Sequence, residues 1–240
     1  MTSLFWTGDQ LVSWDAYDGI KAGLLGILTS GLTGFSLNHA DVGGYSTFSL
    51  PILGVEFGHK RSKELLLRWM ELGVFGCVFR THEGSMPQEN VQFHSDSDLV
   101  NHLSFCGKLF QSLKNYKKQL MVEASNYGFP LMRTMFFEFP LDPGNNTHDL
   151  ILECQLLKEQ FMLGDCILVA PVLDAGATQV KVFLPKILSS WTYIWNSKIL
   201  DFGWTVVDAP IGRPGIFVKS SDLKRKTLLP FIEFCESFNE

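Results

Sequence analysis

Residues 32–45 read LTGFSLNHADVGGY, and they decide how the first half of the chain is organised. The apolar residues 32–37 predict a short buried strand. Residues 38–45 follow at once as a polar loop, and their paired glycines permit unusual backbone dihedrals. An apolar strand that opens directly into a polar loop is typical of sheets whose functional groups lie beyond the carboxyl ends of parallel strands.

The same alternation continues on both sides of this stretch. Residues 73–79 predict a second buried strand, and it ends in the charged residues 80–84. Helical spacing of apolar residues predicts helices over residues 11–30, 62–72 and 99–124. Strands that alternate with helices build a parallel sheet with helices outside it. We therefore predict an α/β unit whose chemistry lies on the loops at residues 38–45 and 80–84.

The pattern of apolar residues in the sequence changes after residue 150. Short apolar runs separated by turn residues now recur at intervals of about ten residues. They occupy residues 167–173, 180–185, 191–195, 204–207 and 215–219. This spacing predicts a small antiparallel β domain.

The bulk composition describes an ordinary globular protein. The chain has 240 residues, of which 46 % are hydrophobic, and its net charge of −5 argues against a nucleic-acid backbone binder. No run of lysines and arginines marks a membrane-surface patch. The first residues lack a basic region with a long apolar stretch behind it, and residues 22–37 are broken by glycines. We therefore predict neither a signal peptide nor a membrane span.

Cysteines and histidines give no sign of a metal or cofactor site. The five cysteines are scattered and never spaced CxxC, which favours small buried hydrophobes in a reduced protein. They are Cys77, Cys106, Cys154, Cys166 and Cys235. The histidines lack an HxxxH or HExxH spacing, and neither a GxSxG elbow nor a phosphate-binding glycine loop is present. We predict no metal and no cofactor.

Three polar clusters could carry chemistry, and each has a plain structural alternative. Asp9 follows Phe5 and Trp6, so it is either an acid whose pKa rises in an apolar setting or the N-cap of the next helix. Residues 41–45 are either a ligand-contacting loop or a turn, and His82 is either a hydroxyl-binding group or a surface histidine. Together these aromatic and charged groups have the character of a sugar pocket, because sugars offer hydroxyls and apolar ring faces.

Several of these stretches resemble signature blocks of glycoside hydrolase family 31. Residues 5–10, FWTGDQ, resemble the W-[ST]-G-D-[NQ] segment that holds the family's general acid. The similar later stretches are DVGGY at residues 41–45, RWMELGVF at residues 68–75, RTH at residues 80–82, and residues 128–133, 160–165 and 169–172. Glu71 stands where the family pattern has glutamine. Gln10 and the THEG stretch at residues 81–84 look most like the sulfoquinovosidase branch, since α-glucosidases usually carry asparagine after the acid.

The resemblance implies a fold and a reaction. Residues 1–145 would be the carboxyl-terminal part of a (β/α)8 TIM barrel, and residues 146–240 a small antiparallel β-sandwich domain. The implied activity is retaining hydrolysis of an α-glycoside, glucoside or sulfoquinovoside, with Asp9 as general acid and then base. The implied partner is thus a carbohydrate. The positions that match the sugar-binding subsite are Trp6, Asp41, Tyr45, Arg80 and His82.

One departure from the family pattern matters. The family's nucleophilic aspartate lies in a block well upstream of the acid, and only eight residues precede Asp9. We therefore expect a truncated chain without significant glycosidase activity of its own. Two other hypotheses are a non-catalytic sugar-binding protein that keeps Trp6, Tyr45 and His82, and a chain with no independent role that aggregates.

Overall fold

The computed structural model describes residues 4–52, 55–139 and 158–238. In chain order the elements are β1 (Phe5–Trp6), α1 (Ile20–Leu32), β2 (Asn38–His39), β3 (Phe48–Ile52), β4 (Val55–His59), α2 (Lys63–Gly73), α3 (Ser97–Ser112), α4 (Lys114–Tyr127), β5 (Met132–Arg133), α5 (Met135–Glu138), β6 (Phe161–Leu163), β7 (Ile167–Ala170), β8 (Gln179–Leu184), β9 (Trp191–Tyr193), β10 (Lys198–Leu200), β11 (Gly203–Asp208), β12 (Gly215–Lys219) and α6 (Leu229–Glu236).

The first half of the chain is a parallel strand–helix arrangement. β1 pairs with β2 in parallel, and further parallel bridges join Leu11 to Ser46 and Val42 to Thr81. Helix α1 connects the first pair and α2 lies between the partners of the last bridge, because parallel neighbours need a crossover. The predicted alternation of strands and helices is thus confirmed.

The predicted helix over residues 11–30 is wrong in its first half, because α1 begins only at Ile20. Aspartate side chains bond the backbone locally in the preceding loop: Asp18 Oδ1 accepts from Leu11 N at 2.9 Å, and Asp15 Oδ1 accepts from Tyr17 N at 2.7 Å. Such bonds compete with the helical pattern. At its other end α1 runs to Leu32, so the strand predicted over residues 32–37 is displaced to β2.

The second predicted strand, over residues 73–79, is also wrong. Gly73 is the last residue of α2, residues 74–79 are assigned to no strand, and the isolated parallel bridge in this part of the chain is at Thr81. The buried Lys117 of α4 donates from Nζ to Val74 O and Gly76 O, so these two carbonyls have a partner without a strand beside them. Burial lowers the pKa of Lys117 well below its ordinary value.

Helix α2 is confirmed almost residue for residue, and Ser62 caps it by accepting from Leu65 N at 3.2 Å. The single helix predicted over residues 99–124 is instead two helices, α3 and α4, which meet at the buried Leu113. No helix in the described part of the chain is long and apolar enough to cross a membrane.

The second half of the chain is antiparallel, as predicted. A six-stranded sheet has the order β10-β9-β12-β7-β6-β5 with antiparallel neighbours, and β8 and β11 form a separate antiparallel pair. The five predicted runs correspond to β7, β8, β9, β11 and β12, whereas β6, β10, α6 and the β3–β4 hairpin were not predicted. The predicted domain boundary at residues 145/146 and Cys154 lie outside the described residues.

Buried polar contacts of α2 join the two halves. Arg68 Nη2 donates to Ala177 O and Ala209 O, each at 2.9 Å, and Arg68 Nη1 donates to Glu71 Oε2 at 2.9 Å. Glu71 Oε1 in turn accepts from Gly212 N at 2.6 Å. Burial raises the pKa of Glu71 to about 7, although Arg68 and the Gly212 amide oppose that shift. The β domain is therefore fixed against α2, the helix that lies in the chain between the two site loops.

Candidate active site

The carboxylate of Asp41 is the centre of the candidate site. Asp41 lies just beyond β2 and is 2 % exposed. Its Oδ2 accepts from Trp6 Nε1 at 3.1 Å, and its Oδ1 accepts from His39 Nε2 at 3.0 Å and from Arg80 Nε at 3.2 Å. Arg80 Nη2 also donates to Oδ1. Side chains from β1, from β2 and from the residue before the Thr81 bridge thus converge on one buried carboxylate.

The charge of Asp41 is stabilised by these donors. Burial alone would raise its pKa, but the hydrogen bonds from His39 and Arg80, together with their charges, lower the pKa to about 2. The carboxylate is therefore ionised at neutral pH. It holds the Trp6 ring, which is 47 % exposed, and the half-exposed Arg80 guanidinium at the surface of the site.

Asp9 lies on the loop that follows β1, beside the same cluster. Its main-chain oxygen accepts from Ser46 Oγ at 3.3 Å, and Gln10 O accepts from both Tyr45 N and Ser46 N at 2.9 Å. The N-cap alternative is wrong, because α1 starts at Ile20. Asp9 is exposed, so the apolar surroundings that we expected Phe5 and Trp6 to provide for its carboxylate are not found among the described residues.

Tyr45 and His82 form the other side of the cluster. Their rings meet edge to face, with centroids 5.0 Å apart and an interplanar angle of 80°. Gly84 N donates to His82 Nδ1 at 3.0 Å, so the neutral ring carries its proton on Nε2, where it can donate to a ligand. A cavity of about 540 Å³ adjoins His82, and its lining comprises Thr81, His82, Glu83, Pro87, Gln88, Gln92, Phe93 and His94.

The paired glycines at residues 43 and 44 permit a close approach between loops. Gly43 has φ 96° and Gly44 has φ 72°. A Cβ on Gly43 would lie 2.7 Å from Nη1 of Arg61, and one on Gly44 would lie 3.0 Å from Leu11 O. The loop is therefore more than a simple turn, because its glycines leave room for a buried arginine.

Sequence reasoning missed two residues that organise this site. His39 stands two positions before Asp41 in the stretch already singled out, and its place beside a carboxylate was the signal that could have found it. Arg61 lies outside every predicted cluster, and only the need for paired glycines hinted at a close neighbour. Among the described residues, no group of three or more His, Cys, Asp or Glu side chains could hold a metal ion.

The fold and the site together define a parallel α/β unit with a buried carboxylate among its loops, followed by an antiparallel β domain. The model of the glycosyl hydrolases family 31 TIM-barrel domain matches residues 1–105, and that of the glycosyl hydrolase family 31 C-terminal domain matches residues 128–222. The chain belongs to glycoside hydrolase family 31.

Individual relatives agree with this assignment. The chain is 35 % identical over 219 residues to a sulfoquinovosidase of Escherichia coli K12, which covers 91 % of this chain and 30 % of the relative. Alpha-glucosidase 2 of Bacillus thermoamyloliquefaciens is 29 % identical over 234 residues, covering 94 % and 26 %. A family 31 sulfoquinovosidase from E. rectale, solved in complex with the aza-sugar inhibitor IFGSQ, superposes with a TM-score of 0.86 at 29 % identity, over 99 % of this chain and 32 % of that one. The chain spans between about a quarter and a third of the length of these relatives.

Proposed function

We propose that the protein to which this chain belongs hydrolyses α-glycosides with retention of configuration, and that Asp9 is its general acid and base. The observation that carries the proposal is the convergence of Trp6, His39 and Arg80 on Asp41, next to the loop that presents Asp9. Membership of family 31 supports it, as do relatives named sulfoquinovosidase and alpha-glucosidase.

The proposed chemistry follows from the exposed position of Asp9. Its carboxyl donates a proton to the departing glycosidic oxygen, and its carboxylate then takes a proton from the attacking water. Retaining hydrolysis also needs a second carboxylate about 5 Å from the first. The family resemblance assigns that nucleophile to no residue of this chain, and we predict that the 240 residues alone do not turn over glycosides.

The sugar would lie across the surface held by Asp41. The exposed Trp6 ring offers an apolar face to a pyranose, while Arg80 and the Nε2 proton of His82 donate to hydroxyls. Tyr45 lines the same subsite. We favour a sulfoquinovoside over a glucoside, because the sulfoquinovosidase of Escherichia coli is 35 % identical to the chain and Alpha-glucosidase 2 is 29 % identical.

We also propose that residues 1–145 supply the later strands of a (β/α)8 barrel and that residues 146–240 form a β-sandwich. The parallel order of the first half supports the barrel assignment. The separate β8–β11 pair, whose Val182 and Leu184 are fully buried, supports a second β layer. β5, which precedes the proposed boundary, pairs with β6 and so belongs to the larger sheet.

The test compares the longest product of the gene with the 240-residue chain, using aryl α-sulfoquinovoside and aryl α-glucoside substrates. The longer product should release the aryl group, and Asp9→Asn should abolish the release while the exposed Asp201→Asn leaves it unchanged. Turnover that survives Asp9→Asn would contradict the role of Asp9. Turnover by the 240-residue chain that disappears in Asp9→Asn would contradict our prediction that this chain is inactive.

A second candidate is a non-catalytic sugar-binding protein, and the completeness of the Asp41 network within this chain favours it. It requires cooperative melting and saturable glycoside binding without hydrolysis. Dye-binding hydrophobic surface without a cooperative transition would instead support a chain with no independent role.

A further inference from the structure

We propose that Arg61 is a positioning residue that holds the loop carrying Tyr45 and the loop carrying His82 in one fixed relation. Arg61 lies between β4 and α2 and is 2 % exposed. Its relevance to sugar binding rests on the proposed function, whereas the coupling of the two loops follows from the contacts themselves.

The guanidinium contacts both loops at once. Its acceptors are Gly43 O and Gly44 O at 3.4 Å each, His82 O at 2.7 Å, Glu83 O at 3.2 Å, Val91 O at 2.9 Å and Gln92 Oε1 at 3.1 Å. Nη1 alone is shared between the two loops, because it bonds Gly43 and Gly44 on one side and His82 on the other. The guanidinium therefore joins the backbones that present Tyr45 and His82, and it adds to the direct bonds from Val42 N to Arg80 O at 3.1 Å and from Ser85 N to Tyr45 O at 2.9 Å.

The chemistry of these acceptors requires an arginine. Each is a carbonyl or amide oxygen, and they surround the guanidinium plane on several sides. The five N–H donors of arginine have the fixed fork geometry that this arrangement needs, whereas a lysine ammonium has three donors at one point. Burial lowers the pKa of Arg61 to about 10, so the group stays protonated at neutral pH.

The surroundings of Arg61 are built for this contact. A Cβ on Gly43 would lie 2.7 Å from Nη1, so the glycine is what allows the arginine to approach. A second link runs parallel to the first: Arg61 N donates to Asn90 Oδ1 at 3.0 Å, and Asn90 Nδ2 donates to Thr47 Oγ1 at 2.8 Å. The loop after Tyr45 and the loop after His82 are thus tied at two points that share Arg61.

The expected consequence is a defined orientation and tautomer of His82. Its Nδ1 accepts from Gly84 N at 3.0 Å, and the intervening Glu83 carbonyl is held by Arg61. Loss of the guanidinium releases this turn, so the Nδ1 bond and the edge-to-face contact with Tyr45 should be lost together. The proton on Nε2 would then no longer be fixed for a ligand.

The experiment is a two-bond ¹H–¹⁵N NMR correlation of the histidine side chains in the 240-residue chain, with the His82 signal assigned by its disappearance in His82→Gln. We expect the wild type to show the Nε2–H tautomer. Arg61→Met should give averaged imidazole nitrogen shifts, and Arg61→Lys should fall between the two. In the longest product of the gene, Arg61→Lys should raise KM about tenfold or more with a smaller change in kcat.

Arg68→Met is the matched control, because Arg68 is 1 % exposed but bonds the β domain instead of the site loops. It should lower the melting temperature and leave the His82 signal unchanged.

An unchanged signal in Arg61→Met, or an averaged one in Arg68→Met as well, would overturn the positioning role. If Arg61→Met does not fold, Arg61→Lys provides the test. A wild-type His82 tautomer together with a wild-type KM in Arg61→Lys would also overturn the positioning role of Arg61. Lack of hydrolysis by the wild-type longer product would refute the proposed function alone and would leave the NMR result standing.

Discussion

Gly43→Ala tests how closely the buried guanidinium approaches the site loop. Gly43 has φ 96°, and a Cβ there would lie 2.7 Å from Arg61 Nη1 and 2.9 Å from Leu66 Cδ1. Holding alanine at this dihedral costs about 1–3 kcal/mol. Forcing a methyl group against two buried side chains adds about 1–3 kcal/mol. The substitution should therefore lower the free energy of unfolding by about 2–6 kcal/mol.

Gly34→Ala separates the two contributions. Gly34 has φ 98°, almost the same dihedral, but nothing lies within 4 Å of its Cβ position. It should show only the backbone cost. Urea unfolding followed by tryptophan fluorescence gives both values, as shifts of the midpoint at an unchanged denaturant slope. The excess for Gly43→Ala over Gly34→Ala should be about 1–3 kcal/mol.

Equal losses in the two variants would refute the close approach of Arg61 to Gly43. A second check is the double substitution Gly43→Ala with Arg61→Met. Because the nearest clashing atom belongs to Arg61, the two changes should be less than additive, with a coupling energy of about 0.5–3 kcal/mol. If the stability losses of Gly43→Ala and Arg61→Met add strictly, Arg61 does not lie against Gly43.

Three further predictions concern stability. The pKa of Glu71 is raised to about 7 from an ordinary 4.5, so its protonated form stabilises the fold below about pH 4.5, and this contribution is lost as pH rises through 7. Urea unfolding at several pH values should show this loss in the wild type, and Glu71→Gln should remove up to about 3 kcal/mol of it. An unchanged pH profile in Glu71→Gln would contradict the raised pKa. Tyr116→Phe removes a hydroxyl that accepts from Asp165 N at 3.1 Å and bonds Cys166 Sγ, and should cost about 1–3 kcal/mol by thermal melting, whereas a neutral effect would exclude these bonds. Ser62→Ala removes the cap of α2 and should cost about 1 kcal/mol by urea unfolding; an unshifted midpoint would show that the cap contributes nothing.

The elements that the sequence predicted well are those whose pattern is local. Helix α2 has a capping serine and an apolar face in its own sequence, and β12 is an apolar run between turns. The start of α1 was missed because Asp15 and Asp18 bond nearby amides instead of leaving them to a helix. The false strand over residues 73–79 has a remote cause, since Lys117 takes up its carbonyls from another helix.

The same distinction holds for the site. Trp6, Asp41 and Arg80 stand in recognisable stretches, and the structure brings them into hydrogen-bond contact. His39 was missed although it stands two positions before Asp41, whereas Arg61 could not be identified from the sequence, because what it does depends on partners that folding brings near. For Arg61 those partners are mostly backbone carbonyls, which leave almost no trace in the amino-acid sequence.

The contacts between α2 and the β domain also limit how the chain could be recombined. Arg68 Nη2 donates to Ala177 O and Ala209 O, and Glu71 Oε1 accepts from an amide of the same domain. A foreign β domain joined to the first half would have to present two carbonyls and one N–H at the same points. Otherwise Arg68 and Glu71 would be buried without these hydrogen-bond partners. The two halves are therefore complementary at residues 68 and 71, and we expect an exchange of one half to require compensating changes there.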